Sequence, residues 1–440
     1  MRKLFGTDGI RGDADDLLTD ELVESLGRAA VSVLGGERPR VAILRDTRAS
    51  GPRIERALAA GAAAAGADVK LAGVLPTPAA PVLIEHYGFD LVAVVSASHN
   101  PWRDNGVKFF GAGGLKLSDE TELRIEQAIE QPPADAAEAG SIADLLGGED
   151  DYVRALLERF DGLDLSGMRI VVDTANGATY RVAPRVLREL GADVTVIFDA
   201  PDGQNINEGC GSTHLDALRE QVTAGEFDAG FAFDGDGDRV LALDGDGRLV
   251  DGDEMIALAA VHLREQDKLP GGGVAVTVMT NYGFHRAMEE AGIEVAVTSV
   301  GDRYVLEELL KRDWALGGEQ SGHVIDRGFV PSGDGTASAL LTLEALAATG
   351  RSLKDAIPMQ KLPQTLVNVR VADRSAIEGA DAVWELIERE NGALEGRGRV
   401  LVRPSGTEPL VRVMVEAPSQ DEAEAVCGRI VSQIENDLAS

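Results

Sequence analysis

A chain of 440 residues with a net charge of −32 is too long for one core and reads as about three or four domains; the charge excludes nucleic acid, whose phosphates require a basic face. Apolar residues make up 44% of the chain, yet no run approaches the ~18 apolar residues of a membrane span, and the opening MRKLFGTDGIRG is charged rather than signal-like, so a cytoplasmic protein with no membrane partner is expected. Cys210 and Cys427 lie too far apart for a disulfide framework or metal pair, and so acidic a composition with few lysines is that of a chain hydrated in molar salt, where a Debye length of ~3 Å screens self-repulsion; a halophilic source is the expectation.

In chain order, one design recurs three times. The strand Val41–Leu44 runs into RDTRASG, a helix, then AAGADVKLAG. MRIVVDTANGATYRVAPRVLRELGADVTVIFD and GGVAVTVMTNYGFHRAMEEAGIEVAVTSVG repeat the order of apolar strand, polar turn, amphipathic helix, glycine stop and β-branched strand. This is a βαβ unit, its period switching between 2 and 3.6, with parallel strands. Between the first and second copies, Glu130–Gly140 (EQPPADAAEAG) starts no strand, and a helix near Asp150–Phe160 follows. DGDEMIALAAVHLREQ opens the third unit at Asp251. From Lys361–Leu366 the pattern changes to strand Thr365–Val371, helix Ala376–Glu390, strand Val400–Val402, strand Leu410–Glu416 and helix Gln420–Leu438. The expected architecture is therefore α/β: three related α/β domains (1–148, 149–250, 251–364) with mixed, mostly parallel sheets, plus a smaller C-terminal α+β domain (365–440).

Ligands of open α/β sheets bind beyond the carboxyl ends of strands, which directs attention to four loops. After the strand Leu91–Val95 come Ser96, Ser98, His99, Asn100, Asn105 and Lys108. Neighbours on an extended chain point to opposite sides, so His99 is not expected to act as a triad base on Ser98; a polar loop without chemistry is the competing reading. After Ala229–Phe233 comes DGDGDR, with Asp234, Asp236 and Asp238 alternating with glycine and followed by Arg239. Hard oxygen ligands in this number suit magnesium, and a turn is the alternative. DGDG recurs at Asp244–Gly247 between apolar strands, where a hairpin turn is expected. GGEQSGH places Glu319 and Ser321 on one side of an extended loop, a pairing suited to sugar hydroxyls but equally to a solvated loop. RPSGTEPLVRV offers Arg403, Ser405, Gly406, Thr407 and Arg412, either as a nest with guanidinium forks for phosphate or as a plain turn.

SASHNP, DGDGDR, GEQSGH and RPSGTEP, in that order, resemble the four signatures of the α-D-phosphohexomutases, and the resemblance runs from Phe5 to the last strand. It implies four domains around one central cleft. It implies that Ser98 is a phosphoserine and that Ser98, Asp234, Asp236 and Asp238 hold one Mg2+, with His99 and Arg239 nearby. Lys108 and Arg11 are the implied positive groups at the reacting phosphate, Lys108 carrying a proton. Glu319, Ser321, His323, Asp302 and Arg303 are the implied sugar readers, and Arg403, Ser405, Gly406, Thr407 and Arg412 the clamp on the other phosphate. FGTDGIRG, CGSTH and VGDRYV resemble the amino-sugar branch, implying interconversion of glucosamine 6-phosphate and glucosamine 1-phosphate through a 1,6-bisphosphate. Glucose or glucosamine 1,6-bisphosphate is then the priming donor. Trp102 and FVPSGDG depart from the pattern without touching motif residues. A neutral-hexose phosphomutase, and a phosphosugar- or calcium-binding protein without turnover, are the alternatives. The partner expected is a small phosphosugar, with monomer and homodimer both left open.

Overall fold

The computed structural model describes residues 4–6, 8–131, 136, 138–405 and 409–438. Residues 132–135 and 137 of the Pro/Ala/acid stretch, and Gly406 and Thr407 of the C-terminal loop, therefore lie outside the described residues. The chain divides into two compact units, Met1–Met279 with Ile293–Pro358, and Thr280–Gly292 with Met359–Ser440.

The first unit contains three sheets. One is built from β1 (Phe5–Gly6), β2 (Gly9–Asp13), β3 (Arg40–Arg45), β4 (Asp68–Val74), β5 (Leu91–Val95), β6 (Asp104–Phe110) and β7 (Ile142–Asp144), in the order β1-β2-β6-β5-β3-β4-β7. The second uses β8 (Arg169–Asp173), β9 (Asp193–Ile197), β10 (Ala229–Phe233), β11 (Val240–Asp244) and β12 (Leu249–Val250), ordered β12-β11-β10-β8-β9. The third uses β13 (Gly273–Thr277), β14 (Glu294–Thr298), β15 (Leu316–Gly318) and β16 (Val324–Asp326), ordered β14-β13-β15-β16. The inner runs β6-β5-β3-β4, β11-β10-β8-β9 and β16-β15-β13-β14 are one topology repeated. In each, the expected βαβ pair is parallel: β3 with β4, β8 with β9 and β13 with β14. Central strands β5, β10 and β13 are buried along their whole length, as strands covered on both faces must be.

The repeat also places the chemistry. Each sheet has one parallel strand that turns back into an antiparallel neighbour: β5 into β6, β10 into β11 and β15 into β16. The connecting segments carry SASHNP, DGDGDR and GEQSGH. The second DGDG is a hairpin turn as expected, with β11 and β12 antiparallel and Gly247 N–H donating to the Asp244 carbonyl. The third segment opens with a helix at Gly252–Glu265 that Asp251 and Glu254 close with a capping box. Among the described residues no helix is long and apolar enough to cross a membrane.

In the second unit, β17 (Gln364–Arg370), β18 (Arg399–Pro404) and β19 (Leu410–Glu416) form an antiparallel sheet ordered β17-β19-β18. Val411, Val413 and Val415 alternate inward onto Ile387, Ile430 and Ile434 of the helices Asp381–Leu394 and Gln420–Leu438. The first of these helices begins five residues later than its expected start at Ala376. A 3-10 turn at Arg374–Gly379 precedes it, because Gly379 weakens helix propagation while Asp381 places a carboxylate in the first turn. The unit includes Thr280–Gly292, tied in by the Tyr282 amide, which donates to Glu416 Oε2 at 2.9 Å, and by Arg399, which donates to the Thr280 carbonyl at 2.6 Å.

Candidate active site

Ser98 leaves the end of β5 with φ of 52°, a conformation uncommon for a residue bearing a side chain. Its buried Oγ donates to Asp234 Oδ2 at 2.6 Å. His99 Nδ1 lies 3.3 Å from the same Oγ, which corrects the expectation that the two side chains diverge. That expectation assumed an extended chain; the left-handed turn at Ser98 swings His99 back toward it. Burial, then the Arg239 and Arg11 charges, hold the His99 ring below the ordinary imidazole value.

DGDGDR brings ligand atoms of Asp234, Asp236 and Asp238 within 4.8 Å of one another, all three residues buried. Lys108 on β6 reaches across from the Ser98 sheet, its Nζ 2.7 Å from Asp236 Oδ2 and 3.5 Å from Asp238 Oδ2. Burial alone would lower the Lys108 ammonium; Asp236, Asp8 and Asp238 reverse this and raise it. Burial and the Asp238 and Asp236 charges push the Asp234 carboxyl well above the usual carboxylate range. On Asp238 burial acts the same way, but Lys108, His323 and Arg239 outweigh it and hold that carboxyl low. One oxygen of Asp236 and one of Asp238 are buried with no hydrogen-bond partner, and so are Nε of Arg11 and Nε of Arg239. Orphaned buried polar atoms are expensive. Orphaned carboxylate oxygens fit a cation, and orphaned guanidinium nitrogens fit an anion beside it, so the residues present fit a metal ion next to a phosphate.

Around this centre, Arg11 on β2 pairs with Asp8, and Asp8 also lies 3.4 Å from Lys108 and 2.5 Å from Lys116. Lys116 in turn sits 2.6 Å from Asp302. His323 is buried between Asp238 and Asp302, its Nδ1 and Nε2 each 3.7 Å from one carboxylate, while Nε2 accepts the Gly333 amide at 3.1 Å. Glu319 Oε1 accepts the Gly301 amide at 3.0 Å. Glu319–Gly322 is a turn closed by Gly322 N–H on the Glu319 carbonyl, not the extended loop expected, so alternation does not align Glu319 with Ser321, which is exposed. Arg303 is engaged by Asp119, Glu122 and the Leu117 carbonyl, apart from the carboxylate cluster. Sequence reasoning missed Asp8, Lys116 and Thr77, whose hydroxyl donates to Asp236 Oδ2 at 2.6 Å. Asp8 lies in FGTDGIRG, three residues before Arg11; Lys116 and Thr77 carry no local signal.

In the second unit Arg403 and Arg412 are directly opposite one another on β18 and β19. Like charges so placed repel, and burial together with Arg412 lowers the Arg403 guanidinium. Ser405 is buried beside them in sequence, its amide donating to the Leu410 carbonyl. Paired arginines at the mouth of a strand-to-strand loop are the donor set an anion would relieve.

The chain matches four family models in sequence: phosphoglucomutase/phosphomannomutase alpha/beta/alpha domain I at residues 2–135, domain II at 150–247, domain III at 251–362 and the C-terminal domain at 366–433. It belongs to this family, the α-D-phosphohexomutases. It is 49% identical to a phosphoglucosamine mutase of Pelotomaculum thermopropionicum, covering 99% of both chains, and 48% identical to one of Desulforudis audaxviator, covering 100% of both. Its fold is similar to a Burkholderia thailandensis phosphoglucomutase/phosphomannomutase family protein, with a TM-score of 0.84, 25% identity and 99% of both chains covered. It is also similar to Aspergillus fumigatus N-acetylphosphoglucosamine mutase in complex with GlcNAc-6P and magnesium, with a TM-score of 0.72, 20% identity, and 99% and 96% of the two chains covered.

Proposed function

We infer that this chain is an isomerase that interconverts glucosamine 6-phosphate and glucosamine 1-phosphate. The observation that carries the chemistry is the buried Ser98 hydroxyl, 2.6 Å from a carboxylate of a three-aspartate cluster. The choice of amino sugar rests on full-length relatives of that activity at 44–49% identity. A phosphoryl group on Ser98 adds ~1.5–2 negative charges, which Arg11, Arg239 and Lys108 are placed to balance. In the forward half-reaction the phosphorus–oxygen bond to Ser98 breaks, a bond to the sugar hydroxyl forms, and the hydroxyl proton ends on Ser98 Oγ. Lys108, held protonated by Asp236, Asp8 and Asp238, can only give Ser98 Oγ a proton, while His99 at 3.3 Å from that oxygen, held below the ordinary imidazole value, can also take one up. The sugar is then a 1,6-bisphosphate, and return of its other phosphoryl to Ser98 completes the exchange. Asp234, Asp236 and Asp238, with the Ser98 phosphate, would hold Mg2+, which supplies positive charge against the transferring phosphoryl oxygens. Glu319, Ser321, His323 and Asp302 are the candidate sugar readers. Arg403, Ser405 and Arg412, with Gly406 and Thr407, are the candidate clamp on the phosphate that is not moving. The working units are 1–148, 149–250, 251–364 and 365–440.

A coupled assay comparing glucosamine, glucose and mannose 6-phosphates tests the substrate. Turnover of the neutral sugars equal to that of the amino sugar would overturn the amino-sugar assignment. Intact mass tests the chemistry: active protein carries one phosphate, located at Ser98, and Ser98→Ala neither carries it nor turns over. Phosphate at Ser96 instead, or an active Ser98→Ala, would sink the mechanism.

A further inference from the structure

The strained backbone at Ser98 needs something to hold it, since such a conformation persists only where its surroundings over-determine it. Arg48 does this from a fully buried position. Its guanidinium donates to the carbonyls of Ser98 at 2.9 Å, Asn100 at 2.8 Å and Asp104 at 2.9 Å, and to that of Pro101. Nε is committed to Asp46 Oδ2 at 2.8 Å. That same carboxylate oxygen accepts the Ser96 hydroxyl at 2.6 Å, and Ser96 Oγ accepts the Ser98 amide at 2.9 Å. One buried ion pair therefore grips Ser98 by both its backbone groups, the carbonyl directly and the amide through Ser96. From the loop after β9, Asn207 Nδ2 donates to the same Ser98 and Asn100 carbonyls at 2.9 and 3.1 Å. The backbone of the aspartate loop closes the remaining side: a Cβ on Gly235 would stand 2.6 Å from the Ser98 carbonyl oxygen.

A buried arginine is costly unless every donor is used, and its planar fork cannot be copied by a lysine. Here Nε goes to Asp46 and the two terminal nitrogens go to carbonyls of one short loop. Resting on the reading that Ser98 carries the phosphoryl group, we propose that Arg48, with Asp46 and Asn207, forms a positioning clamp that fixes Ser98 in the left-handed turn aiming its Oγ at Asp234. The clamp acts through the Ser98 backbone. It contacts Ser98 only at backbone atoms, and its effect is on the rate at which Ser98 gains and loses phosphate.

The test uses the full chain with Mg2+ and glucose 1,6-bisphosphate. Phosphate uptake is followed by intact mass, KM and kcat by the coupled assay, and hydrogen exchange over residues 94–105. Arg48→Lys should slow uptake by about 100-fold, the scale of a misplaced reacting group, with KM for the sugar phosphate changed less than about 3-fold because binding groups are untouched. Asn207→Ala, which keeps the ion pair and is the safer variant for folding, should slow uptake by about 10-fold for the same reason. Both should speed exchange at the Ser98 amide. Leu218→Ala, a cavity in the second sheet's core, serves as the control. It should lower the melting temperature at least as far while leaving uptake near wild type. Uptake within twofold of wild type in both clamp variants overturns the proposal, as does an equal slowing in Leu218→Ala. A wild-type chain that takes no phosphate at Ser98 overturns the phosphoserine reading and this proposal together, whereas a phosphorylated wild type with unaffected clamp variants overturns this proposal alone.

Discussion

The tetrapeptide Asp-Gly-Asp-Gly occurs twice on the second sheet, at each end of β11, with opposite fates. At 234–237 it is followed by Asp238, and all three aspartates are buried and converge. At 244–247 it makes a hairpin turn in which Asp244 binds the amides of Asp246 and Arg248, while Asp246 is exposed against Lys354 at 2.7 Å. The local backbone chemistry is shared. What differs is what faces each loop: Ser98, Lys108, Thr77 and His323 face the first, whereas the acidic side chain at the tip of the second meets a surface lysine. Three buried carboxylates repel unless something compensates them, so the first loop stores an electrostatic penalty that a structural turn would have no reason to keep.

The largest expected effect separates the two loops by activity. Asp236→Asn should reduce mutase turnover by about 10²–10³-fold, the usual scale for removing one group that stabilises transition-state charge. Asp246→Asn should leave turnover within about twofold, as surface substitutions away from a site generally do. Steady-state assays at saturating Mg2+ decide it, and equal losses would erase the distinction between the loops.

How far this contrast was legible in the sequence depends on the scale of the signal. The bounds of β5, β10, β19 and the helix Gln420–Leu438 were readable because continuous apolar runs and helical periodicity are local properties. The third aspartate and Arg239 marked the first DGDG as different for the same reason. The direction of His99 was not legible, because it depends on a positive φ at Ser98 that nothing in Ser-Ala-Ser-His announces. Arg48, within RDTRASG, and Asn207 carry no such local signal. They act on carbonyls 50 and 109 positions away, and a side chain serving distant backbone leaves no spacing pattern. Lys116 and Asp8 were hidden likewise, since their network spans segments more than 100 residues apart.

The next effect is on stability, with opposite signs for the two loops. In protein stripped of metal by EDTA, Asp234→Asn should raise the melting temperature by about 2–4 °C, the shift that ~1 kcal/mol makes in a domain of this size. Asparagine can still accept the Arg239 amide on its oxygen and donate its NH2 to Ser98 Oγ, reversing that bond, while removing a charge that burial, Asp238 and Asp236 disfavour. A carboxyl raised in the folded state is not penalised below its unfolded value of ~3.9 and loses stability as pH rises through its folded value. The gain should therefore be present at neutral pH and vanish toward pH 4. Asp246→Asn loses its lysine partner and should show no gain at any pH. Melts of both variants from pH 4 to 8 check this, and a gain independent of pH would remove the electrostatic explanation.

A smaller difference concerns the glycines that end the two tetrapeptides. Gly237 and Gly247 both have positive φ, 72° and 80°, so alanine at either should cost on the order of 1 kcal/mol. Both glycines are buried, but at Gly237 the new Cβ would also meet Thr179 Cγ2 at 2.4 Å in the interior, whereas at Gly247 it meets the side chains of Thr223 and Arg219 at 2.8 and 3.0 Å, which reach solvent and can turn aside. Gly237→Ala should therefore be the more destabilised in urea titration and the only one of the pair to lose activity. Equal midpoints would show that packing at the first loop is as forgiving as at the second.

The smallest expected effect uses salt to separate buried from exposed charge. A net charge of −32 repels itself across the surface, and at molar KCl a Debye length of ~3 Å screens that repulsion. Wild type should therefore melt higher in molar KCl than in dilute buffer. Screening works only where ions can approach. The Asp246–Lys354 pair is solvent-exposed on both sides, so its contribution, small to begin with, should disappear and Asp246→Asn should melt with wild type in molar KCl. The repulsion among Asp234, Asp236 and Asp238 is enclosed by protein, so the advantage of Asp234→Asn in EDTA should survive the same salt. Thermal melts of the three proteins at 0.05 and 2 M KCl measure all of this at once. A wild-type melting temperature that is flat or falls with salt would remove the halophilic reading of the surface. Loss of the Asp234→Asn advantage at 2 M would mean that ions reach the first loop as freely as the second, and that burial is not what distinguishes them.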